Sequence, residues 1–70
     1  MNFGEALEAL KSGHRASRSG WNGRGMWIEI HLPCEERMTL PFIYMCTVTG
    51  DLVPWLASQT DVLAEDWSTH

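Results

Sequence analysis

The chain has 70 residues, a formal net charge of −4 and two cysteines. That length makes a single domain, 1–70, whose core alone is marginal, because so short a chain buries a modest fraction of its surface. The negative charge argues against non-specific binding of DNA or RNA polymers. Cys34 and Cys46 are too few for a disulfide framework and form no C-x-x-C pair, and His14, His31 and His70 match no metal spacing. Neither a staple, a structural metal nor a cofactor is therefore expected. Self-association is the expected stabiliser, which suits four tryptophans in so short a chain. Met1–Glu5 lacks the basic and apolar regions of a secretion signal, and no stretch approaches the roughly 20 apolar residues of a membrane helix. The expectation is a soluble cytoplasmic protein with reduced thiols and no membrane partner.

Asn2 with Glu5 three residues on forms a capping-box pattern, and Phe3, Ala6, Leu7 and Leu10 recur at helical spacing. Glu5 and Glu8 early and Lys11 late suit the helix dipole, and Gly13 offers a left-handed C-cap. The spacing predicts a helix over 3–12. His14–Arg18 reads as an edge strand with Ala16 inward. Ser19–Gly25 holds three glycines and Asn22, a tight loop whose backbone N–H groups can approach a ligand; it is neither a dinucleotide fingerprint nor a P-loop. From Met26 to Leu32 the chain alternates, with Met26, Ile28, Ile30 and Leu32 on one face and Trp27, Glu29 and His31 on the other. Residues 33–41, with two prolines and Glu35-Glu36-Arg37, read as a loop. Phe42–Val48 is apolar on both faces except at Thr47 and reads as a central strand. Thr49-Gly50-Asp51 makes a hairpin turn into a short strand, Leu52-Val53, stopped by Pro54.

Ser58 with Asp61 repeats the capping-box spacing, with Asp replacing the usual Glu or Gln. A short helix follows, with Val62, Leu63 and Ala64 as its apolar patch and Trp55 and Trp67 pinning it on either side. Its N-terminal N–H groups and dipole can receive an anion. Trp67 to the C-terminus reads as a last edge strand. The fold class is α+β: an N-terminal helix packed on a small antiparallel sheet, with a second short helix near the C-terminus.

Charge is unevenly placed. Residues 1–24 carry Lys11, Arg15, Arg18 and Arg24 against Glu5 and Glu8, a net +2, whereas 25–70 carry −6. A compact anion fits the first third better than a long polyanion fits the whole. Trp21, flanked by Arg18 and Arg24 in a glycine-rich loop, can stack a nucleobase while the guanidinium groups meet a phosphate. It can equally pack under the first helix or at a subunit interface, and the residues leave both readings open. Asp61, Glu65 and Asp66 lie close together and could serve acid–base or metal chemistry, but acids in a first turn more often complement the dipole. Nothing sets up a Cys–His pair, and Cys46 reads as buried.

Four runs carry a resemblance: Asn2–Lys11; Gly20-Trp21-Asn22-Gly23 with Gly25-Met26; Val53-Pro54-Trp55-Leu56-Ala57-Ser58-Gln59-Thr60-Asp61; and Leu63-Ala64-Glu65-Asp66-Trp67. Together they resemble, nearly end to end, a small phage and prophage family first known as a domain of unknown function, which includes the second Thoeris anti-defence family. The resemblance implies a sponge, not an enzyme. Such a protein binds a cyclic ADP-ribose isomer such as glycocyclic ADP-ribose in the host bacterial cytoplasm, and in some members cyclic oligonucleotides at separate sites, and holds the signal unaltered. It also implies a homo-oligomer, a tetramer, with pockets between protomers. The family's motif positions then mark ligand-binding candidates: Trp21 and Trp55 for base stacking; Arg18, Asn22 and the amides near Gly23, with Met26 beside them, for phosphate or ribose; Ser58, Gln59 and Asp61 for ribose hydroxyls and phosphate. Asp61 suits hydroxyls, since like charges repel. Trp67 reads as core or interface. Pro33–Pro41 is short for the family, and a different loop over the ligand would alter specificity. The alternatives from other classes are a metal-dependent hydrolase of the signalling nucleotide, using Asp61, Glu65 or Asp66, and a structural or protein-binding phage protein.

Overall fold

Helix α1 spans Phe3–Lys11 and is closed at both ends by its own sequence. Asn2 Oδ1 accepts from Glu5 N at 2.8 Å while Asn2 N donates to Glu5 Oε1 at 2.9 Å, the reciprocal box. At the other end Gly13 sits at φ +93°, where only glycine is unstrained. Gly13 N donates to Leu10 O and His14 N to Ala9 O, which satisfies two of the carbonyls of the last turn. The computed structural model describes residues 1–33 and 39–70. After α1 come β1 (Ala16–Arg18), β2 (Trp27–His31), β3 (Phe42–Cys46), β4 (Leu52–Pro54), α2 (Gln59–Leu63) and β5 (Trp67–Thr69). The strands form one antiparallel sheet in the order β4-β3-β2-β1-β5, so the fold is α+β with α1 on the sheet and a short second helix near the C-terminus.

Cα partners share a face. Ala16 pairs with Ile28, Ile28 with Met45, and Met45 with Val53, while Arg18 pairs with Trp67. These define the inner face, on which α1 packs over β1, β2 and β5. Ala6, Leu10, Ala16, Ile28 and Trp67 are its fully buried apolar residues. The outer face carries Ser17, Trp27, Glu29, His31, Phe42, Tyr44 and Leu52, which alternate with the inner set.

Several expectations change. His14–Arg18 is not an edge: β5 pairs outside β1, so the edges are β4 and β5. The strand expected over Phe42–Val48 ends at Cys46, because Thr47 N donates to Asp51 O and begins the turn. It is hydrogen-bonded on both sides, yet no residue of it is fully buried. Helix α1 lies over the other half of the sheet, so the apolar residues of β3 are not covered by a helix. Pro54 closes β4 from within, paired with Tyr44 at the edge, where its missing N–H costs nothing. Leu32 is 74% exposed and leaves the inner face that alternation gave it. Cys46 is half-buried. The loop read at 33–41 falls outside the described residues over 34–38, as do Cys34 and Glu35-Glu36-Arg37.

The glycine loop packs on the β3–β4 turn at Gly23. A Cβ there would overlap Val48 Cγ2 and stand 3.0 Å from Met26 Sδ. Gly23→Ala is therefore expected to lower stability by about 1–3 kcal/mol, the usual range for overpacking. Val48→Ala in the same chain should restore most of the loss. Thermal unfolding of the single and double variants checks both; a neutral Gly23→Ala would refute the close approach.

Candidate ligand-binding site

Trp67 is the centre on which the candidate residues converge. It is 3% exposed, and its Nε1 donates to Asp61 O at 3.0 Å, tying β5 to α2. Phe3 packs on it from α1 at 5.4 Å between ring centroids. Trp21 and Trp55 meet it edge-on, at 5.4 and 6.2 Å with interplanar angles of 83° and 88°. T-shaped contacts of this kind suit the ring quadrupole. Trp21 and Trp55 are only half-buried, so each keeps ring surface beyond the cluster.

Arg18 joins the site from β1. Its side chain is 13% exposed; Nη1 donates to Asp61 Oδ1 at 2.8 Å and Nε donates to Asp66 Oδ1 at 2.8 Å. Asp61 Oδ1 also accepts from Trp21 Nε1 at 3.2 Å. Asp61 Oδ2 accepts from Ser58 N at 3.2 Å and Ser58 Oγ at 2.9 Å, and Ser58 Oγ accepts from Asp61 N at 3.0 Å. This is the capping box that the Ser58–Asp61 spacing predicts. Asp66 Oδ2 accepts from Gly20 N at 2.7 Å and from Ser19 Oγ at 3.2 Å, fixing the start of the glycine loop.

The guanidinium is thus spent on two carboxylates, a local balance of −1, instead of standing free for a phosphate. The positive first third of the sequence is largely cancelled in the same way, since Lys11 pairs with Glu8 and Arg15 with Glu29. Among the described residues Arg24 makes no ion pair, and it is exposed. At the start of α2 the Asp61 N–H is taken by Ser58 Oγ and the Ser58 N–H by Asp61 Oδ2, and the carboxylate set there disfavours a phosphate.

Electrostatics agree with the geometry. Hydrogen bonds from Arg18, then those of Gly20 and Ser19, outweigh desolvation and lower the Asp66 pKa. Burial pushes the Asp61 carboxyl up, but the hydrogen bonds of Arg18, Trp21 and Ser58 together outweigh it and leave its pKa below 3.8. Both acids hold Arg18 protonated, Asp66 the more strongly. Carboxylates with lowered folded pKa values bind fewer protons folded than unfolded. Their stabilisation is complete above their ordinary value of 3.8 and is lost as pH falls through it toward the lowered value. The melting temperature should therefore hold from about pH 7 to 5 and drop between about pH 4 and 2. Asp66→Asn should flatten that drop in a pH series; an acid limb unchanged in this variant would refute the assignment.

Of the expected residues, the fold brings together Arg18, Trp21, Trp55, Ser58 and Asp61 around Trp67. Gln59 opens α2 and is exposed. Asn22 is exposed in the loop, while Gly23 lies against Val48 on the neighbouring turn with Met26 Sδ beside it. Asp66, absent from the expected ligand set, proves to anchor the site; its place in the Ala64-Glu65-Asp66-Trp67 run was the available signal. Of the apolar patch expected behind the cap, Val62 and Leu63 point outward, 45% and 77% exposed, while Ala64 packs against the core, and α2 seats itself mainly through Asp61. Among the described residues no cluster of three His, Cys, Asp or Glu could hold a metal, and no helix is long and apolar enough to cross a membrane.

Comparison with known proteins matches residues 1–70 to the Tad2-like family, described as a Thoeris anti-defense 2-like domain. The chain is also 39% identical over 83 aligned positions to the protein named Thoeris anti-defense 2 of Bacillus phage SP01, covering 96% of this chain and 91% of that one. Since 83 positions exceed 70 residues, the relative carries insertions that this chain lacks.

Proposed function

The chain belongs to the Thoeris anti-defense 2-like family, and from that premise we propose that it is a phage protein that blunts Thoeris defence by sequestering the defence signal. The ligand is a cyclic ADP-ribose isomer, such as glycocyclic ADP-ribose, bound in the host cytoplasm and left intact; cyclic oligonucleotides are a second ligand class to be tested. The observation that supports this reading is the end-to-end family match, together with two half-buried indoles set edge-on against Trp67, one of them held by the anchored Asp61 carboxylate.

Energetics favour a shared pocket. A sponge that outcompetes an effector needs nanomolar affinity, roughly 12 kcal/mol. Stacking on one indole contributes about 1–3 kcal/mol, so two indoles and the exposed amides of Asn22 and Gln59 fall well short. Enclosure by another protomer supplies the missing contact area, as in pockets that bury most of a ligand. We therefore assign the protein to a homo-oligomer, a tetramer. The geometry argues against the hydrolase alternative, because Asp61 and Asp66 both face the Arg18 guanidinium, the position that a cation bridging them would have to occupy.

Calorimetric titration of the purified chain with cyclic ADP-ribose isomers, followed by chromatography of the denatured mixture, tests the reading. Tight binding with intact ligand is expected. An altered product would make the protein an enzyme, and no heat with any isomer or cyclic oligonucleotide would refute sequestration.

A further inference from the structure

Asp66 stands one residue before β5, and three consecutive residues converge on its carboxylate. Arg18 Nε donates to Oδ1 at 2.8 Å; Gly20 N and Ser19 Oγ donate to Oδ2 at 2.7 and 3.2 Å. Ser19 N also donates to Asp66 O at 3.3 Å. The Asp66 side chain is 31% exposed, and an ion pair that open contributes little to stability. What the arrangement does fix is a turn, and the turn carries Trp21. Trp21 N donates to Arg18 O at 3.3 Å, which closes Arg18–Trp21 as a β-turn. Trp21 Nε1 then donates to Asp61 Oδ1, the same oxygen that takes Arg18 Nη1. Asp66 therefore bonds to both supports of the indole: the backbone turn at its base and the guanidinium that shares the acceptor at its edge.

Gly20 supplies a separate observation that this approach is built into the sequence. Its φ does not lie in the left-handed region, so the backbone conformation makes no demand for glycine. The demand comes from space. A Cβ at Gly20 would stand 2.9 Å from Asp66 Oδ2 and 3.1 Å from Arg18 Nη2. Any larger residue forces the carboxylate off the turn.

We infer that Asp66 is a positioning residue of the ligand site: through the Arg18–Trp21 turn and the Arg18 guanidinium it presets the Trp21 ring for a stacking base. The inference rests on the proposed stacking at Trp21 and names the group that prepares that ring. A ring fixed before binding loses less freedom when a base stacks on it. The anchor also sits where a supporting group has to be, on a rigid part of the fold. The next residue, Trp67, is 3% exposed, and its N donates to Met1 O at 3.1 Å. Asp66 itself is poorly placed to hold the ligand directly. Three donors already occupy its two oxygens, and a carboxylate repels a phosphate.

Solvent exchange of the indole N–H groups, followed by NMR on the full chain without ligand, reads the fixing of the ring. In Asp66→Asn and in Gly20→Ala the Trp21 Nε1–H is expected to lose protection. Trp67 Nε1–H, which donates to Asp61 O, is expected to keep it. Loss at both indoles would be general loosening and loss at neither would mean no hold on Trp21; either result overturns the inference. Both variants are also expected to weaken binding of glycocyclic ADP-ribose by about 2- to 10-fold, the scale of immobilising one side chain. Placed on Trp21→Ala, the same substitutions should change affinity by less than about twofold, because residues acting through one another are not additive. An undiminished further loss on that background would show Asp66 acting apart from Trp21 and overturn the inference. Should Asp66→Asn unfold, Gly20→Ala, which displaces only the end of a side chain, carries the test. A wild type that binds no glycocyclic ADP-ribose would count against the proposed ligand, and the exchange pattern alone would then decide the positioning.

Discussion

Asp61→Ala is expected to lower the melting temperature at neutral pH by more than about 12 °C. The carboxylate is 12% exposed and serves four donors: Arg18 Nη1, Trp21 Nε1, Ser58 N and Ser58 Oγ. Its removal leaves a nearly buried guanidinium with Asp66 alone, strips the capping box of α2 and frees the Trp21 indole. Breaking a buried ion pair from one side costs about 3–5 kcal/mol. Domains have about 0.05–0.15 kcal/mol of stability per residue, so a chain of this size holds roughly 3.5–10 kcal/mol in all. At about 4–8 °C per kcal/mol for small domains the loss exceeds 12 °C. Asp61→Asn, which keeps one acceptor but not the charge, should fall between. A drop below about 4 °C in the alanine variant would mean that the clamp is not formed in solution.

Trp21→Ala is expected to weaken binding of the cyclic ADP-ribose isomer by roughly 5- to 150-fold, the equivalent of one lost stacking surface at about 1–3 kcal/mol. Trp21 is suited to that role because its edge is already fixed. Its Nε1 is held by Asp61 and its ring stands at 83° to Trp67, so little rotational freedom is lost when a base stacks on the exposed part. Trp21→Phe retains a ring face without the Nε1 bond and should recover much of the affinity. Trp55→Ala should act in the same direction, and melting temperatures of the three variants separate lost binding from lost fold. Unchanged affinity in both alanine variants would move the ligand away from this cluster.

The two helices were legible because their signals are local. Asn2 with Glu5, Gly13, and Ser58 with Asp61 satisfy backbone groups within four residues, and alternation in β2 exposes its period directly. What escaped the sequence is long-range. Arg18 lies 43 and 48 residues from Asp61 and Asp66, so a count of charges made it a free cation where the fold makes it a clamp. The interior place of β1 depends on pairing Ala16 with Thr69, at the far end of the chain. The outward turn of Val62 and Leu63 follows from a polar anchor, Asp61, outcompeting apolar residues for the buried side of a five-residue helix. Of the candidate site, Trp21, Trp55, Ser58 and Asp61 were identifiable by type and motif, but the role of Asp66 became visible only with the geometry.

The most direct test of sequestration is release. The protein is mixed in molar excess with a cyclic ADP-ribose isomer, and the small-molecule filtrate is assayed before and after heating. Sequestration predicts a filtrate empty of signal before heating and the full amount of chemically unaltered signal after it. Free signal before heating, or a changed product afterwards, would contradict it.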